Sequence, residues 1–233
     1  MVKVARTVEG NFNEVSLSSG FSVFISHSEK DSILIEAESN LIPNIVTEVN
    51  NNCLEVRTSD FTCLNPVKPI IIRVFTNNLQ ALNVSGSGNI QSDTLVADNL
   101  NIQLSGSGSL RVPVSVKKIR VALSGSGNIT LSGSSANSNY SISGSVAIES
   151  YDLEQESSDI TISGSGNCYV NVGGSLNATI SGSGSVYYKG SPEINSRVTG
   201  SGRVVSQLSR LGNFMQIKSG FNSFYGKSIY LIY

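Results

Sequence analysis

The chain has 233 residues and a net charge of −1, and only 14% of its residues are charged whereas 39% are hydrophobic. A nucleic-acid-binding protein needs a basic face, and a chain with this apolar content buries too much surface to stay disordered, so composition argues against both classes. No apolar stretch approaches the roughly 18 residues that cross a bilayer as a helix, and 42 Ser, 23 Asn and 22 Gly residues supply surface polarity in place of charge.

Residues 1–80 are predicted to form an N-terminal β region continuous with the middle of the chain. Residues 21–25, 32–37, 54–57 and 68–74 alternate or run apolar, as strands do. Residues 41–46 could form a short turn of helix, although Pro43 disfavours it. No apolar signal core follows Met1, so the protein is either cytosolic or lacks a signal segment that was removed.

The cysteines and the single histidine do not form a metal-binding motif. Cys53, Cys63 and Cys168 are scattered and His27 lies in a polar loop, so we expect neither a metal site nor a cofactor. Cys168 occupies a position that is otherwise apolar in a repeated pattern, and it is predicted to be a small core residue. Cys53 and Cys63 are near enough in sequence to pair across a short loop, and the sequence leaves that disulfide open.

A Ser-Gly-Ser-Gly motif dominates the middle of the chain. It occurs at residues 85–88, 105–108, 124–127, 163–166 and 181–184, and variants at 143–146 and 199–202 complete a regularly spaced series. Spacing this regular indicates one structural unit that is stacked repeatedly. The recurring Gly-x-Gly is not followed by a helix, so it does not indicate a phosphate-binding loop.

Apolar residues alternate around each motif with the period of a strand. Residues 82, 84, 86, 88 and 90 form the inward set of the first unit, which places the glycines inside, where the chain can bend sharply, and the serines outside. Val146 stands where the second inward glycine is expected. The predicted corner glycines are Gly86, Gly88, Gly106, Gly108, Gly125, Gly127, Gly164, Gly166, Gly182 and Gly184.

The pattern predicts an all-β protein, a parallel β-helix (β-solenoid) over residues 81–206, with about 18–20 residues in each coil. Each unit should read as strand, glycine corner, strand and variable turn, with turns at sites such as 91–94 and 173–175. Because an open coil exposes unpaired strand edges, the aromatic-rich residues 207–233 are predicted to form a C-terminal cap.

One outward column of the predicted solenoid contains aromatic residues. Glu149, Tyr169 and Tyr187 should lie near one another, and together with Tyr188 they are the candidate ligand contacts on the surface. Simple cross-strand packing of aromatic rings is the alternative interpretation. The whole column reads Gln91, Arg111, Thr130, Glu149, Tyr169, Tyr187 and Val205.

Three landmarks resemble a known family. Residues 12–15 with 19–25, residues 40–49 with 52–56, and the Ser-Gly-Ser-Gly-Asn-Ile repeats at 85–90 and 124–129 are similar to the auto-transporter adhesin "head GIN" domain family, found largely in Bacteroidetes. The resemblance covers nearly the whole chain. It implies a secreted, periplasmic or surface-exposed β-helical protein that usually carries a signal peptide, and it supplies no catalytic residue.

The sequence therefore favours a non-enzymatic module of the cell envelope, structural or adhesive, located outside the cytoplasm. Alternatives are a carbohydrate-binding module and, less favoured, a polysaccharide-active β-helix enzyme, which would need paired carboxylates on one wall. The acidic turn at 152–159 is interpreted as a solvated surface. A cell-surface glycan or a protein is the expected partner, and association of flat faces into homo-oligomers stays open.

Overall fold

A computed structural model describes residues 1–60 and 62–207, and it confirms an all-β solenoid of about seven turns with parallel stacked strands. Its elements in chain order are β1 Val2–Arg6, β2 Glu14–Leu17, β3 Ser22–His27, β4 Ser32–Ala37, a 3₁₀ turn Ile42–Asn44, β5 Ile45–Asn50, β6 Cys53–Thr58, β7 Ile71–Thr76, β8 Ala81–Val84, β9 Asn89–Ser92, β10 Leu95–Gly106, β11 Ser109–Gly125, β12 Asn128–Gly144, β13 Ala147–Gly164, β14 Asn167–Gly182, β15 Ser185–Lys189, β16 Glu193–Gly200 and β17 Arg203–Ser206.

Apolar columns run along the inside of the solenoid. Parallel register places each inward residue directly over its counterpart in the previous coil, and these side chains are buried in every coil from β10 to β14. Backbone hydrogen bonds link each coil to both neighbours. Stacking therefore satisfies the main-chain hydrogen-bonding groups and buries the apolar side chains at the same time. One such column comprises Leu104, Leu123, Ile142, Ile162 and Ile180.

The two glycines of a corner occupy different environments. The second glycine is buried, and a methyl group added to Gly127 would meet the carbonyl oxygen of Gly108 and lie 2.6 Å from Cδ2 of Leu104 in the core. The first is less buried: a methyl group added to Gly164 would lie 2.7 Å from the carbonyl oxygen of Gly144 in the adjoining coil. The backbone of the adjoining coil thus leaves no room for a side chain at either glycine, and at the second glycine a core side chain blocks the space as well.

Strands run further around each coil than the sequence predicts. The expected turn at residues 173–175 lies inside β14, but Gly173 and Gly174 have no partner in the ladder, because Val172 pairs with Gln155 and Ser175 pairs with Ser157. The ladder between β13 and β14 is also irregular between Ser150 and Glu154. The local turn preference of Gly173-Gly174 therefore produces an irregularity within β14 rather than a break between two strands.

The N-terminal coils are not stacked in chain order. Strands β2 and β3 pair in parallel with β8 and β9 on one side and with β6 and β7 on the other. The coil of residues 14–27 therefore lies between the coil of residues 53–76 and that of residues 81–92. Sequence patterning finds these strands but not this order, because period-two alternation carries no information about which strands are neighbours.

Antiparallel strands close the N-terminal end of the solenoid. β5 pairs with β6, β4 pairs with β7, and β1 covers the outer edge of β4. The guanidinium of Arg6 links β1 to β5. Its Nη1 donates to the carbonyl of Ile45 at 2.6 Å and to Oγ1 of Thr47 at 2.9 Å. Nη2 also donates to the carbonyl of Ile42 at 3.1 Å, in the predicted helical turn, which is a single 3₁₀ turn.

All three cysteines have free thiols. Cys168 is fully buried, as its place in an apolar column predicts, and burial strongly raises the pKa of its thiol. Cys53 is half-buried and Cys63 is exposed. Burial, with the nearby carboxylate of Glu14, raises the pKa of Cys53 to about 12.

The predicted aromatic-rich cap at residues 207–233 lies, apart from Gln207, outside the described residues. None of the described helical segments is long and apolar enough to traverse a bilayer.

Candidate functional site

The predicted outward column exists, and three tyrosines stand on it or beside it. Register pairs Glu149 with Tyr169, Tyr169 with Tyr187, and Tyr187 with Val205, so these residues lie one above the other on one wall. The same column continues downward through Thr130, Arg111 and Gln91. We call Tyr151, Tyr169 and Tyr187 the tyrosine column.

The rings of the tyrosine column contact one another. The rings of Tyr169 and Tyr187 are stacked, with centroids 5.0 Å apart and an angle of 11° between their planes. The ring of Tyr151 meets Tyr169 edge-on, at 5.5 Å and 71°. Such offset-stacked and edge-to-face arrangements are the favoured geometries of aromatic pairs, so the column holds its rings in fixed positions.

Charged groups flank the tyrosine column. The ammonium of Lys189 lies 4.2 Å from the ring centroid of Tyr151, within the range of a cation–π interaction. Glu149 is exposed and directly precedes Tyr169 in the column. Burial, together with Tyr169 and Tyr187, raises the pKa of Tyr151, so its phenol is neutral at physiological pH. The tyrosine column is thus flanked by the ammonium of Lys189 and the carboxylate of Glu149.

Tyr188 does not join this group. It pairs with Val170 and Ser206 and packs, partly buried, against the apolar core. Alternation along β15 explains the difference, because consecutive residues of a strand point to opposite faces.

Two members of the site, Tyr151 and Lys189, were not among the predicted contacts. They lie two residues after Glu149 and Tyr187, and Lys189 pairs with Asn171 of β14. Extending the outward alternation by one step would have found them. The register shift between Ser150 and Glu154, next to Tyr151, carries no sequence signal.

A second concave surface, a groove of about 550 Å³, adjoins the site at Asn171. Glu154 and Glu156 line it, and the buried side chain of Gln155 forms part of its lining. The Tyr140 hydroxyl donates to Oε1 of Gln155 at 2.9 Å, which fixes that amide from inside the core. Across residues 1–60 and 62–207, no three side chains of the His, Cys, Asp and Glu types are grouped so that they could hold a metal ion.

Residues 11–192 match the sequence profile of the family described as "Putative auto-transporter adhesin, head GIN domain". The chain belongs to this family. The match spans the N-terminal coils as well as the Ser-Gly-Ser-Gly repeats, and it includes residues 12–25, 40–56, 85–90 and 124–129.

Solved structures share the fold of this head GIN domain. A protein from Bacteroides fragilis described as a putative adhesin superposes with a TM-score of 0.82 at 23% identity, covering 88% of this chain and 96% of its own. A protein from Parabacteroides distasonis described as a putative lipid binding protein gives 0.75 at 22% identity, with 88% and 96% covered. A putative adhesin from Parabacteroides merdae gives 0.70 at 21% identity, with 88% and 95% covered.

No curated protein matches the chain. At these identities the solved structures establish the fold alone, and membership in the family makes the chain an adhesin-like β-module.

Proposed function

We propose that this head GIN domain is a non-enzymatic module of the cell envelope or of secreted material, and that it adheres to its partner through the tyrosine column. The observation that carries the proposal is the fixed set of rings on one wall, Tyr151, Tyr169 and Tyr187. Tyrosine is enriched in protein binding surfaces because it contributes a large contact area at a small cost in side-chain entropy. An adhesin family name supports the same role and a location outside the cytoplasm.

The architecture suits a contact module. A stack of parallel coils holds outward side chains at a spacing of about 4.8 Å along the axis, so a row of residues forms a continuous surface without any mobile loop. Because the rings are held by each other and by Lys189, little ordering is needed when a partner binds.

A glycan is the second candidate partner, and the ring geometry constrains how it would bind. Tyr169 and Tyr187 lie face to face, so each ring covers one face of the other. A sugar would therefore contact ring edges and phenol groups, with Glu149 and Lys189 as further hydrogen-bonding groups, rather than lie flat on an open platform.

Binding of the full chain to a glycan array and to an array of extracellular-matrix proteins tests the proposal. We expect signal on at least one array, reduced at least tenfold by Tyr169→Ala with Tyr187→Ala. Thr161→Ala with Thr179→Ala is the matched control, because these exposed residues lie in register in the coils of β13 and β14 but on another wall.

Two results would contradict the proposal. One is no binding by the wild-type protein on either array. The other is release of reducing or unsaturated sugar ends from a panel of polysaccharides, which would show an enzyme.

A further inference from the structure

Two basic side chains lie together on the part of the coils that precedes the Ser-Gly-Ser-Gly corner, whereas the tyrosine column follows the corner. Lys118 and Arg120 of β11 are exposed and flank the buried Ile119, so both point outward. The ion pairs within residues 1–60 and 62–207 include neither of them. Residues 61 and 208–233 contain no Asp or Glu. The charges of this pair are therefore available to a ligand.

Asparagine side chains lie in register with both cations, in the coil before β11 and in the coil after it. Neighbouring coils are about 4.8 Å apart, and alternate residues of one strand are about 6.6 Å apart, so the six side chains form a regular grid. All six are exposed or partly exposed. This cation–amide grid consists of Asn99, Asn101, Lys118, Arg120, Asn137 and Asn139.

The grid contains a hollow of about 180 Å³, lined by Asn99, Leu100, Asn101, Lys118 and Arg120. One water molecule takes up about 30 Å³ of the liquid, so the hollow has room for a carboxylate or sulfate group together with bound water. A guanidinium holds two oxygens of such a group with parallel hydrogen bonds. The hollow is therefore suited to one anionic group.

The amides of the grid add donors beside the cations. Oδ1 of Asn137 accepts a hydrogen bond from Oγ of Ser157 at 2.8 Å, which leaves the two N–H groups of that amide to donate to a ligand. An amide both donates and accepts, as sugar hydroxyls do. The grid thus combines groups for an anion with groups for neighbouring hydroxyls.

Carboxylates near the grid limit how an anionic ligand could lie. Asp98 is already paired with Lys117, at 2.8 Å. Asp159 lies two coils beyond Arg120 in the same column and Glu14 lies two coils before it, roughly 10 Å away in each direction. β11 itself contains no acidic residue. An anionic chain along β11 therefore passes both cations, whereas one along the solenoid axis would meet a carboxylate on either side.

We propose that the cation–amide grid binds an acidic sugar chain, which lies along β11 and across the stack of coils. Lys118 and Arg120 hold a carboxylate or sulfate group of the chain, and the asparagine amides bind the hydroxyls beside it. The proposal is independent of the role of the tyrosine column.

Binding of the full chain to polygalacturonate and to dextran sulfate, measured by calorimetry with neutral dextran as the uncharged probe, tests the proposal. We expect binding to at least one acidic polymer and none to dextran. Lys118→Gln with Arg120→Gln should weaken binding at least tenfold. Lys30→Gln with Lys68→Gln removes the same charge from exposed positions elsewhere and should weaken it less than twofold. Equal losses in the two variants would overturn the proposal, as would a wild-type protein that binds neither acidic polymer.

The amides are tested separately from the charges. Asn99→Ala with Asn101→Ala keeps both cations and should weaken binding at least threefold, because hydrogen bonds to the sugar are lost. Unchanged affinity would overturn the grid as the site.

Three further probes identify the class of ligand and the wall that binds it. Polyglutamate and phosphatidylglycerol vesicles should bind more weakly than the acidic polymers, and tighter binding of either would overturn the proposal in favour of an acidic protein or a membrane. Tyr169→Ala with Tyr187→Ala should bind the acidic polymers as the wild type does. A tenfold loss in that variant would place the sugar on the tyrosine column and overturn the assignment to the grid.

Discussion

At the scale of single residues, the corner glycines perform two different tasks. The second glycine of each motif leaves room for the backbone and for an apolar side chain of the adjoining coil, and Val146, buried at 3% exposure, replaces it in the variant motif at residues 143–146. The first glycine adopts a positive φ in five successive coils, for example +128° at Gly164. Any side chain there would meet the adjoining backbone, which cannot move without breaking the ladder.

Gly164→Ala is expected to lower the free energy of unfolding by about 2–4 kcal/mol, because alanine combines an unfavourable φ with a contact to the Gly144 carbonyl. Ser163→Ala, at the exposed neighbouring position, should change it by no more than about 0.5 kcal/mol. Urea unfolding followed by circular dichroism measures both. Equal stability of the two variants would show that the corner tolerates a side chain.

At the scale of elements, period-two patterning predicts the strands well, because the polarity of each residue indicates whether its side chain points inward or outward. The inward columns, the buried Cys168 and the column from Gln91 to Val205 all follow from that alternation. Patterning fails at the irregular parts of the ladder. Residues 173–175 lie within β14 although Gly173 and Gly174 lack partners there, and the register shift between Ser150 and Glu154, next to Tyr151, has no signal in the sequence.

The antiparallel cap depends on one side chain that the sequence does not single out. Arg6→Ala is expected to lower the free energy of unfolding by about 1–3 kcal/mol, since three charge-assisted hydrogen bonds from β1 to residues 42–47 are lost. Lys3→Ala removes only an exposed pair with Glu36 at 3.7 Å and should cost no more than about 0.5 kcal/mol. Thermal unfolding compares them, and similar losses for both would argue against a structural role for Arg6.

At the scale of the whole molecule, the stacking order departs from the chain order. The coil of residues 14–27 lies between two coils that come later in the sequence, so the N-terminal third is closed by contacts of long sequence separation. No alternation pattern encodes that order. The molecule that results is a solenoid with a covered N-terminal end and rigid walls, and one wall carries three aromatic rings within contact of each other.

The central functional claim is that partners bind this wall, and oxidative footprinting of the wild-type chain with and without its strongest array ligand tests it most directly. Side chains covered by a ligand are oxidised more slowly, and the measurement needs no substitution. The oxidation rates of Tyr169 and Tyr187 should fall at least threefold when the ligand is bound. The oxidation rate of Tyr188, which follows Tyr187 on β15 but packs against the core, should be unchanged. Unchanged oxidation of the tyrosine column, with protection concentrated on another wall, would contradict the account.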